Sequence, residues 1–170
     1  FSSPRRRFQG LTSEGTLAGQ KAMVLKPQTF MNESGRSVGE AVRFFKIDAD
    51  HVVVLHDEMD LAPGKLRVKK GGGLAGHNGR KSLAAHIGRE FRRVRLGVGH
   101  PGHKDKVLRY VLQDFAKADD SWLDPLLDAM AEAAPILANG DDAAFASKVA
   151  LILKPPEHKP RPQPAVSAGE

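Results

Sequence analysis

The sequence predicts a single α/β domain, and three features support this prediction. Residues 52–55 (Val-Val-Val-Leu) form a continuous apolar run flanked by polar residues, which is typical of strands buried on both faces of an α/β sheet. Residues 65–69 alternate polar and apolar side chains, which indicates a half-exposed strand with a basic outer face. After Pro101-Gly102 the pattern becomes helical. With 170 residues and 41% hydrophobic content, the chain is long enough for one core.

Further strands and helices follow from hydrophobic patterning. Residues 10–26 read as two strands joined near Ala18-Gly19, with Pro27 ending the second, and residues 94–98 read as another strand. Residues 34–45 place Val38, Val42 and Phe45 on one stripe and predict a helix. The other predicted helices are 77–87, 105–112, 118–137 (with Trp122, Leu126, Met130 and Leu137 near helical spacing) and one capped by Asp141-Asp142 that runs through Leu151.

These elements predict one domain over residues 1–153. From Lys154 onward five prolines forbid regular structure, so residues 154–170 are predicted to be a disordered tail. The first residues are basic without an apolar segment behind them, so they form no signal peptide, and no apolar run is long enough to span a bilayer. Because the chain does not begin with Met, we expect it to be an N-terminally incomplete piece of a longer protein.

Charge and cysteine content narrow the classes of function. The chain has no cysteine, which excludes disulfides and thiolate metal sites and fits a reducing cytoplasm. Residues 61–109 hold thirteen Lys and Arg against Glu90 and Asp105, whereas residues 114–142 hold eight acids against Lys117. This division predicts a positive face for a nucleic acid and an acidic face toward water, and chance clustering of surface charges is the alternative.

The stretch from His56 to Gly79 combines the groups that hold and activate a water. Asp57 directly follows the apolar strand, where α/β sheets place functional groups, and it can orient a histidine and stabilise its protonated form. A glycine-rich turn then delivers His77 and Asn78 to the start of a helix. The alternative role for Asp57 is to cap the turn leading to Pro63-Gly64.

Two other kinds of site fit this stretch poorly. Residues 71–76 match G-x-G-x-x-G, but the region about 20 residues further on is basic where a dinucleotide fold has an acid, and no P-loop Lys-Ser or Lys-Thr follows. His56, Asp57, Glu58 and His77 lack the spacing of metal sites, so no metal is predicted. The alternative for His51 and His56 is that they are half-exposed imidazoles beside the strand whose hydrogen-bonding groups are simply satisfied.

Residues 29–35 form a second polar cluster. Asn32 or Ser34 is a candidate N-cap for the helix that follows. Phe30 and Met31 are apolar residues in a loop, where they suit stacking on a base or lining a peptide groove. On its own the segment is ambiguous.

Together these segments resemble the bacterial-type peptidyl-tRNA hydrolase family. Four motifs occur in the family's order and cover residues 8–151: Lys-Pro-Gln-Thr-Phe-Met-Asn-Glu-Ser-Gly (26–35), His-Asp-Glu-Met-Asp-Leu (56–61), Gly-Gly-Gly-Leu-Ala-Gly-His-Asn-Gly (71–79) and Arg-Leu-Gly-Val-Gly-His-Pro-Gly (95–102). The resemblance implies a twisted, mixed β-sheet flanked by helices, phosphorylase/hydrolase-like, in a cytoplasmic monomer. It also implies hydrolysis, without metal or other cofactor, of the ester that joins a peptide to tRNA.

The resemblance also implies roles for individual residues. Asp57 keeps a histidine basic, and His77 is a supporting polar group. Phe30, Met31, Asn32 and Asn78 contact the substrate, and Arg67, Lys69 and Arg95 belong to the basic surface that holds tRNA phosphates. The family's catalytic histidine lies on a first strand and loop that have no counterpart here, so we expect the chain alone to be inactive. The alternative is a non-catalytic RNA-binding relative such as an intron-splicing factor, which has little use for Asp57, Asn32 and Asn78.

Overall fold

The computed structural model describes residues 1–74 and 76–154, so the predicted tail beyond Lys154 lies outside the described residues. Within this part, two three-stranded sheets are combined with five α-helices. The strands are β1 (Arg5–Arg7), β2 (Gly10–Leu17), β3 (Gln20–Pro27), β4 (Val53–Glu58), β5 (Leu66–Lys70) and β6 (Arg92–Gly97). The helices are α1 (Ser34–Phe45), α2 (Asn78–Ile87), α3 (Lys104–Leu112), α4 (Asp120–Ala138) and α5 (Asp142–Ile152), with short 3₁₀ turns at Met31–Glu33, Ala49–His51 and Lys117–Asp119.

The first sheet is antiparallel, with the order β1-β2-β3. The predicted pair of strands is confirmed, and the two residues between them, Ala18 and Gly19, both have positive φ (51° and 76°). Two positive φ values define the type I′ turn, whose twist matches that of the flanking strands. Strand β1 was not predicted, because three consecutive arginines carry no alternation of apolar and polar residues.

Replacing Ala18 by Asn should stabilise this hairpin. Asn tolerates the left-handed region better than Ala, so Ala18→Asn should raise the free energy of unfolding by about 0.5–1 kcal/mol. Ala18→Pro is the opposing variant, because a φ fixed near −65° is incompatible with the turn. Urea denaturation measures both variants, and an Asn variant no more stable than the parent would contradict the turn assignment.

The second sheet has the order β4-β6-β5, with β4 parallel and β5 antiparallel to β6. The expectation that residues 52–55 form a strand buried on both faces is not met by the described residues, in which β4 lies at an edge of this sheet and Leu55 is 53% exposed. The central strand is β6 instead, and Arg92 and Arg93 are among its buried residues. The apolar run marked a strand correctly but not its place in the sheet.

One core lies between this sheet and the C-terminal helices. Val94 of β6 packs with apolar residues of α4 and α5, including Leu126 and Phe145. Helix α1 packs on α2 through small residues: a Cβ added at Gly35 would lie 2.1 Å from the Ser82 carbonyl oxygen. The predicted stripe of Val38, Val42 and Phe45 is therefore only partly buried, and Gly35, Ser37, Gly39 and Ala41 form the buried face of α1.

The predicted fold class is confirmed: the chain is a single α/β domain in which helices flank a mixed sheet. Over residues 1–74 and 76–154, we find no helix with the length and apolar character needed to cross a membrane.

Candidate active site

The site forms where the end of β4 meets the start of α2. His77 is the N-cap of α2, and its Nδ1 accepts a hydrogen bond from the Arg80 backbone N–H at 3.3 Å. Because Nδ1 accepts, Nε2 carries the ring proton and donates it to Asp57 Oδ1 at 3.2 Å. The side chain of Asp57 therefore binds the histidine at the helix start, which is His77 and not the catalytic histidine that the resemblance assigns to Asp57.

This geometry separates the roles of Asp57 and His77. Both ring nitrogens of His77 are engaged within the protein, so neither is free to take a proton from water. The hydrogen bond from His77 lowers the pKa of Asp57, against the opposing effect of burial, so the carboxylate is ionised at neutral pH. With 36% of its side chain exposed, Asp57 is accessible to a further partner.

The glycine-rich turn is fixed by an arginine that the sequence analysis missed. Arg93 is 2% exposed and donates to the backbone carbonyls of Gly73, at 2.8 Å, and of Gly71. Gly71 and Gly72 have φ of 62° and 85°, values that L side chains rarely adopt. The sequence feature that could have indicated this role is the position of Arg93 within a strand that leads away from the glycine turn. Arg93 thus holds the segment that delivers His77 and Asn78.

The cluster of residues 29–35 lies against the same helix start. A Cβ added at Gly79 would lie 2.7 Å from Met31 Sδ, so Met31 contacts the first turn of α2. The backbone N–H of Gly35 donates to Ser82 Oγ at 2.9 Å. The structure therefore brings the loop that carries Phe30, Met31 and Asn32 beside His77 and Asn78.

The capping interpretation of this loop is wrong. The N-cap of α1 is Glu33, without a side-chain capping bond, and Ser34 Oγ donates to the Met31 carbonyl. Phe30 is 80% exposed and Met31 54% exposed, and the side chains of Asn32 and Asn78 are also exposed. These apolar and carboxamide groups are available to a ligand.

A buried ionic cluster lies behind the site. Glu58 Oε2 accepts from Arg95 Nε at 3.0 Å and lies 3.7 Å from Arg80 Nη1. Burial alone would raise the pKa of Glu58, but the Arg95 hydrogen bond and the charges of Arg95 and Arg80 lower it below its ordinary value. Arg95, predicted to hold phosphates, is thus engaged with Glu58, and its side chain is 25% exposed.

The other two predicted phosphate contacts lie on β5. Arg67 and Lys69 alternate with half-buried residues and are both exposed. Arg67 is the direct neighbour of Arg95 across the β5–β6 ladder, and Lys69 is the neighbour of Arg93. These cations therefore share one face of the sheet, with Arg67 and Lys69 as its solvent-facing members.

His56 is not the half-exposed, satisfied imidazole that the sequence allowed, whereas the side chain of His51 is 73% exposed. His56 is 8% exposed, and its Nδ1 donates to the Asp57 carbonyl at 2.7 Å. Its Nε2 is buried without a hydrogen-bond partner among the described residues. Burial lowers its pKa from 6.5 to about 4, so the ring is neutral at physiological pH.

The buried neutral His56 predicts a pH dependence of stability. The unfolded chain binds this proton with a pKa near 6.5 and the folded chain with a pKa of about 4, so stability falls as the pH falls between these values. The full loss is about 3 kcal/mol at 1.36 kcal/mol per unit. Urea denaturation from pH 7 to pH 4 should show a weaker loss for His56→Gln, whereas the exposed control His51→Gln should behave as the parent. Identical curves for parent and His56→Gln would contradict the assignment.

Within residues 1–74 and 76–154, one group of three side chains has the spacing of metal ligands: Asp48, Asp50 and His51, all exposed, with ligand atoms within 4.8 Å of one another. None of them belongs to the site around Asp57 and His77.

Comparison with known proteins places these observations in a family. A family model described as "Peptidyl-tRNA hydrolase" matches residues 1–157. The peptidyl-tRNA hydrolase of Parvibaculum lavamentivorans is 64% identical over 163 residues, which are 95% of this chain and 80% of that protein. That of Rhodospirillum centenum is 54% identical over 157 residues, or 92% and 69% of the two chains. The crystal structure of peptidyl-tRNA hydrolase from Acinetobacter baumannii is similar with a TM-score of 0.80 and 34% identity, over 86% of this chain and 76% of that chain.

Proposed function

Because this chain belongs to the peptidyl-tRNA hydrolase family and is an ester hydrolase, we propose that the site around Asp57 and His77 cleaves the ester of peptidyl-tRNA. The observation that carries this proposal is the hydrogen bond between His77 Nε2 and Asp57 Oδ1, which joins an ionised carboxylate to the start of α2. Phe30, Met31, Asn32 and Asn78 lie on the two segments around it and are the proposed substrate contacts.

The reaction needs a water that attacks the ester carbonyl carbon. A general base takes one proton from this water, the bond between the carbonyl carbon and the ribose oxygen breaks, and that oxygen leaves as the tRNA hydroxyl after gaining a proton. The other product is the carboxylate end of the peptide. The exposed carboxamides of Asn32 and Asn78 are suited to donate to the ester oxygens or the peptide backbone.

We propose further that the general base is a histidine upstream of Phe1, as the resemblance implies, and that Asp57 orients it. Two observations support this. His77 has no free ring nitrogen, and β4 pairs with β6 alone among the described strands, leaving a backbone edge beside Asp57 at which a further strand fits. Leu55 on that strand is 53% exposed and would be covered by such a neighbour.

The experiment is release of peptide from an N-blocked aminoacyl-tRNA, comparing this chain with a version extended upstream. The extended protein should hydrolyse the ester, and the chain as given should be at least about 10²-fold slower. Equal rates would place the base within this chain. Binding of tRNA by the extended protein without hydrolysis would instead support a non-catalytic RNA-binding protein.

Lys69 is proposed to contact a tRNA phosphate, together with Arg67. Lys69→Gln should weaken binding of tRNA and flatten the dependence of log K on log salt by about one unit, because one released counterion is lost. Filter binding at several salt concentrations measures the slope. Lys148, whose Nζ lies 3.0 Å from Glu132 Oε1 on the helical side of the domain, gives the matched control Lys148→Gln. A slope of log K against log salt that is unchanged from the parent would show that Lys69 does not contact a tRNA phosphate.

We also propose that the protein acts as a monomer in the cytoplasm. The proposal is supported by the family resemblance and by the absence of cysteine from the sequence. Analytical ultracentrifugation tests the monomer, and a dimer at micromolar concentration would contradict it.

A further inference from the structure

A basic groove lies at one end of the antiparallel sheet, outside the site around Asp57. It is open, has a volume of about 450 Å³ and is lined by Arg6, Arg7, Gln9, Gly10, Gln28 and Thr29. Its sides are the β1–β2 turn and the segment that follows β3, which are joined by a hydrogen bond from Gln28 N to the Gln9 carbonyl at 3.0 Å. Gly10 is the buried residue between them, where an added Cβ would lie 2.7 Å from the Lys26 carbonyl oxygen.

The chemistry of the lining suits an anion. It combines two guanidinium groups with two carboxamides and a hydroxyl, and the nearby carboxylate of Glu40, which accepts from Gln9 Nε2 at 3.0 Å, is not part of the lining. Guanidinium groups offer paired N–H donors that match the oxygens of a phosphate. Arg6 is exposed and forms no ion pair with a described residue. Its charge is therefore available to a ligand.

Arg7 is held in place by its surroundings. Its guanidinium carbon lies 4.4 Å, 4.5 Å and 5.2 Å from the ring centroids of Phe8, Phe44 and Phe45. Its Nη1 also lies 3.2 Å from Glu14 Oε1. Glu14 lines a second cavity of about 320 Å³, which it shares with Arg5, Arg6 and Arg7. Its carboxylate disfavours an anion in that second cavity, so the first groove is the better anion site.

The position of the groove indicates which phosphate it takes. Thr29 in its lining immediately precedes Phe30, which is 80% exposed and is a proposed substrate contact. A nucleic-acid strand whose end lies at Phe30 carries further phosphates along its backbone, and the groove is the adjacent cationic surface. We propose that this groove, with Arg6 as its free cation, binds a backbone phosphate of the substrate's tRNA; this rests on the proposed function.

Binding of deacylated tRNA to the full-length protein tests this proposal without requiring ester cleavage. Arg6→Gln should raise the Kd several-fold and flatten the salt slope by about one unit. The matched control is Lys21→Gln: Lys21 is an exposed cation of the same sheet that pairs with Thr16, whereas Arg6 pairs with Leu11. These registers separate the two cations by roughly 16 Å along the strands. The control should leave Kd and slope unchanged.

Several results would overturn the proposal. An unchanged Kd for Arg6→Gln would show that the groove does not contact tRNA. An equal effect of Lys21→Gln would show that the change in Kd comes from net charge alone and not from a contact in the groove. Inorganic phosphate that shifts the Arg6 NMR signals, together with an unchanged tRNA Kd, would identify a site for a free anion. Thermal unfolding checks that both variants are folded. Ester hydrolysis by the parent protein reports separately on the proposed function, so the two failures are distinguishable.

Discussion

Under the proposed function, Asp57→Ala in the version extended upstream should lower turnover by about 10²–10⁴-fold, the usual contribution of general acid–base catalysis. The carboxylate accepts from His77 Nε2 at 3.2 Å, and its lowered pKa keeps it charged near neutral pH. Its removal takes away both the acceptor that orients an imidazole and the charge that stabilises an imidazolium. Affinity for tRNA should be spared, because Asp57 is an anion and contributes nothing to phosphate binding.

Asp60→Ala is the matched control for this prediction. Asp60 is an exposed carboxylate three residues further along the chain, and we find no side-chain hydrogen bond from it to another described residue. Single-turnover hydrolysis of an N-blocked aminoacyl-tRNA, with filter binding beside it, separates turnover from affinity. Full turnover combined with lost tRNA binding in Asp57→Ala would show that the assigned role is wrong.

Glu58→Gln should destabilise the fold by about 3–5 kcal/mol, the usual cost of breaking a buried ion pair. The side chains of Glu58 and Arg80 are 8% and 4% exposed, so the variant leaves the guanidinium of Arg80 buried without its counter-charge. The hydrogen bond from Arg95 Nε is weakened in the same step, because the glutamine amide oxygen that can still accept it carries no charge. The exposed pair of Glu132 and Lys148 provides the control, because Glu132→Gln should cost at most about 1 kcal/mol.

Protonation of the Glu58 carboxylate should also lower the free energy of unfolding at acid pH. The folded pKa of Glu58 lies below its ordinary value of 4.5, so its contribution is present above pH 4.5 and is lost as the pH falls through the folded pKa. Urea denaturation of parent and Glu58→Gln between pH 7 and pH 3 measures this loss. Their difference should shrink toward the acid end. A difference independent of pH, or no larger than that of Glu132→Gln, would contradict the role of the cluster.

Helix positions were predictable because their signals are local. The helix over 34–45 was predicted with the bounds that the structure gives to α1. The last helix starts where its cap was predicted, with the Asp141 side chain accepting from the Ala144 backbone N–H at 2.9 Å. Periodicity and capping depend on residues within a few positions of each other, so a single sequence contains them.

The buried arginines of β6 were not predictable in the same way. The charge pattern assigns residues 92–95 to a basic surface, yet Arg92 donates to the Leu137 carbonyl and to Asp142, and Arg93 donates to the glycine turn. Such partners lie 20 to 50 residues away in the chain and become neighbours only after the fold forms. The charge pattern thus indicated a polyanion but overstated how many cations remain at the surface.

Of the candidate site, the sequence indicated Asp57 and His77 as separate polar groups but neither the hydrogen bond between them nor its direction. That direction depends on the backbone N–H of Arg80, which occupies Nδ1 and thereby sets the tautomer. The edge position of β4 among the described strands could not be predicted either, because an apolar run predicts burial without specifying the number of neighbouring strands.

The His77 ring couples the position of the start of α2 to the pKa of the Asp57 carboxylate. One nitrogen caps α2 and the other holds Asp57, so a ligand that shifts the start of α2 also changes the bond that depresses the pKa of Asp57. By linkage the effect is reciprocal: protonation of Asp57 weakens that bond and loosens the loop that presents Asn78. Under the proposed function, substrate affinity and the charge state of Asp57 are therefore thermodynamically linked.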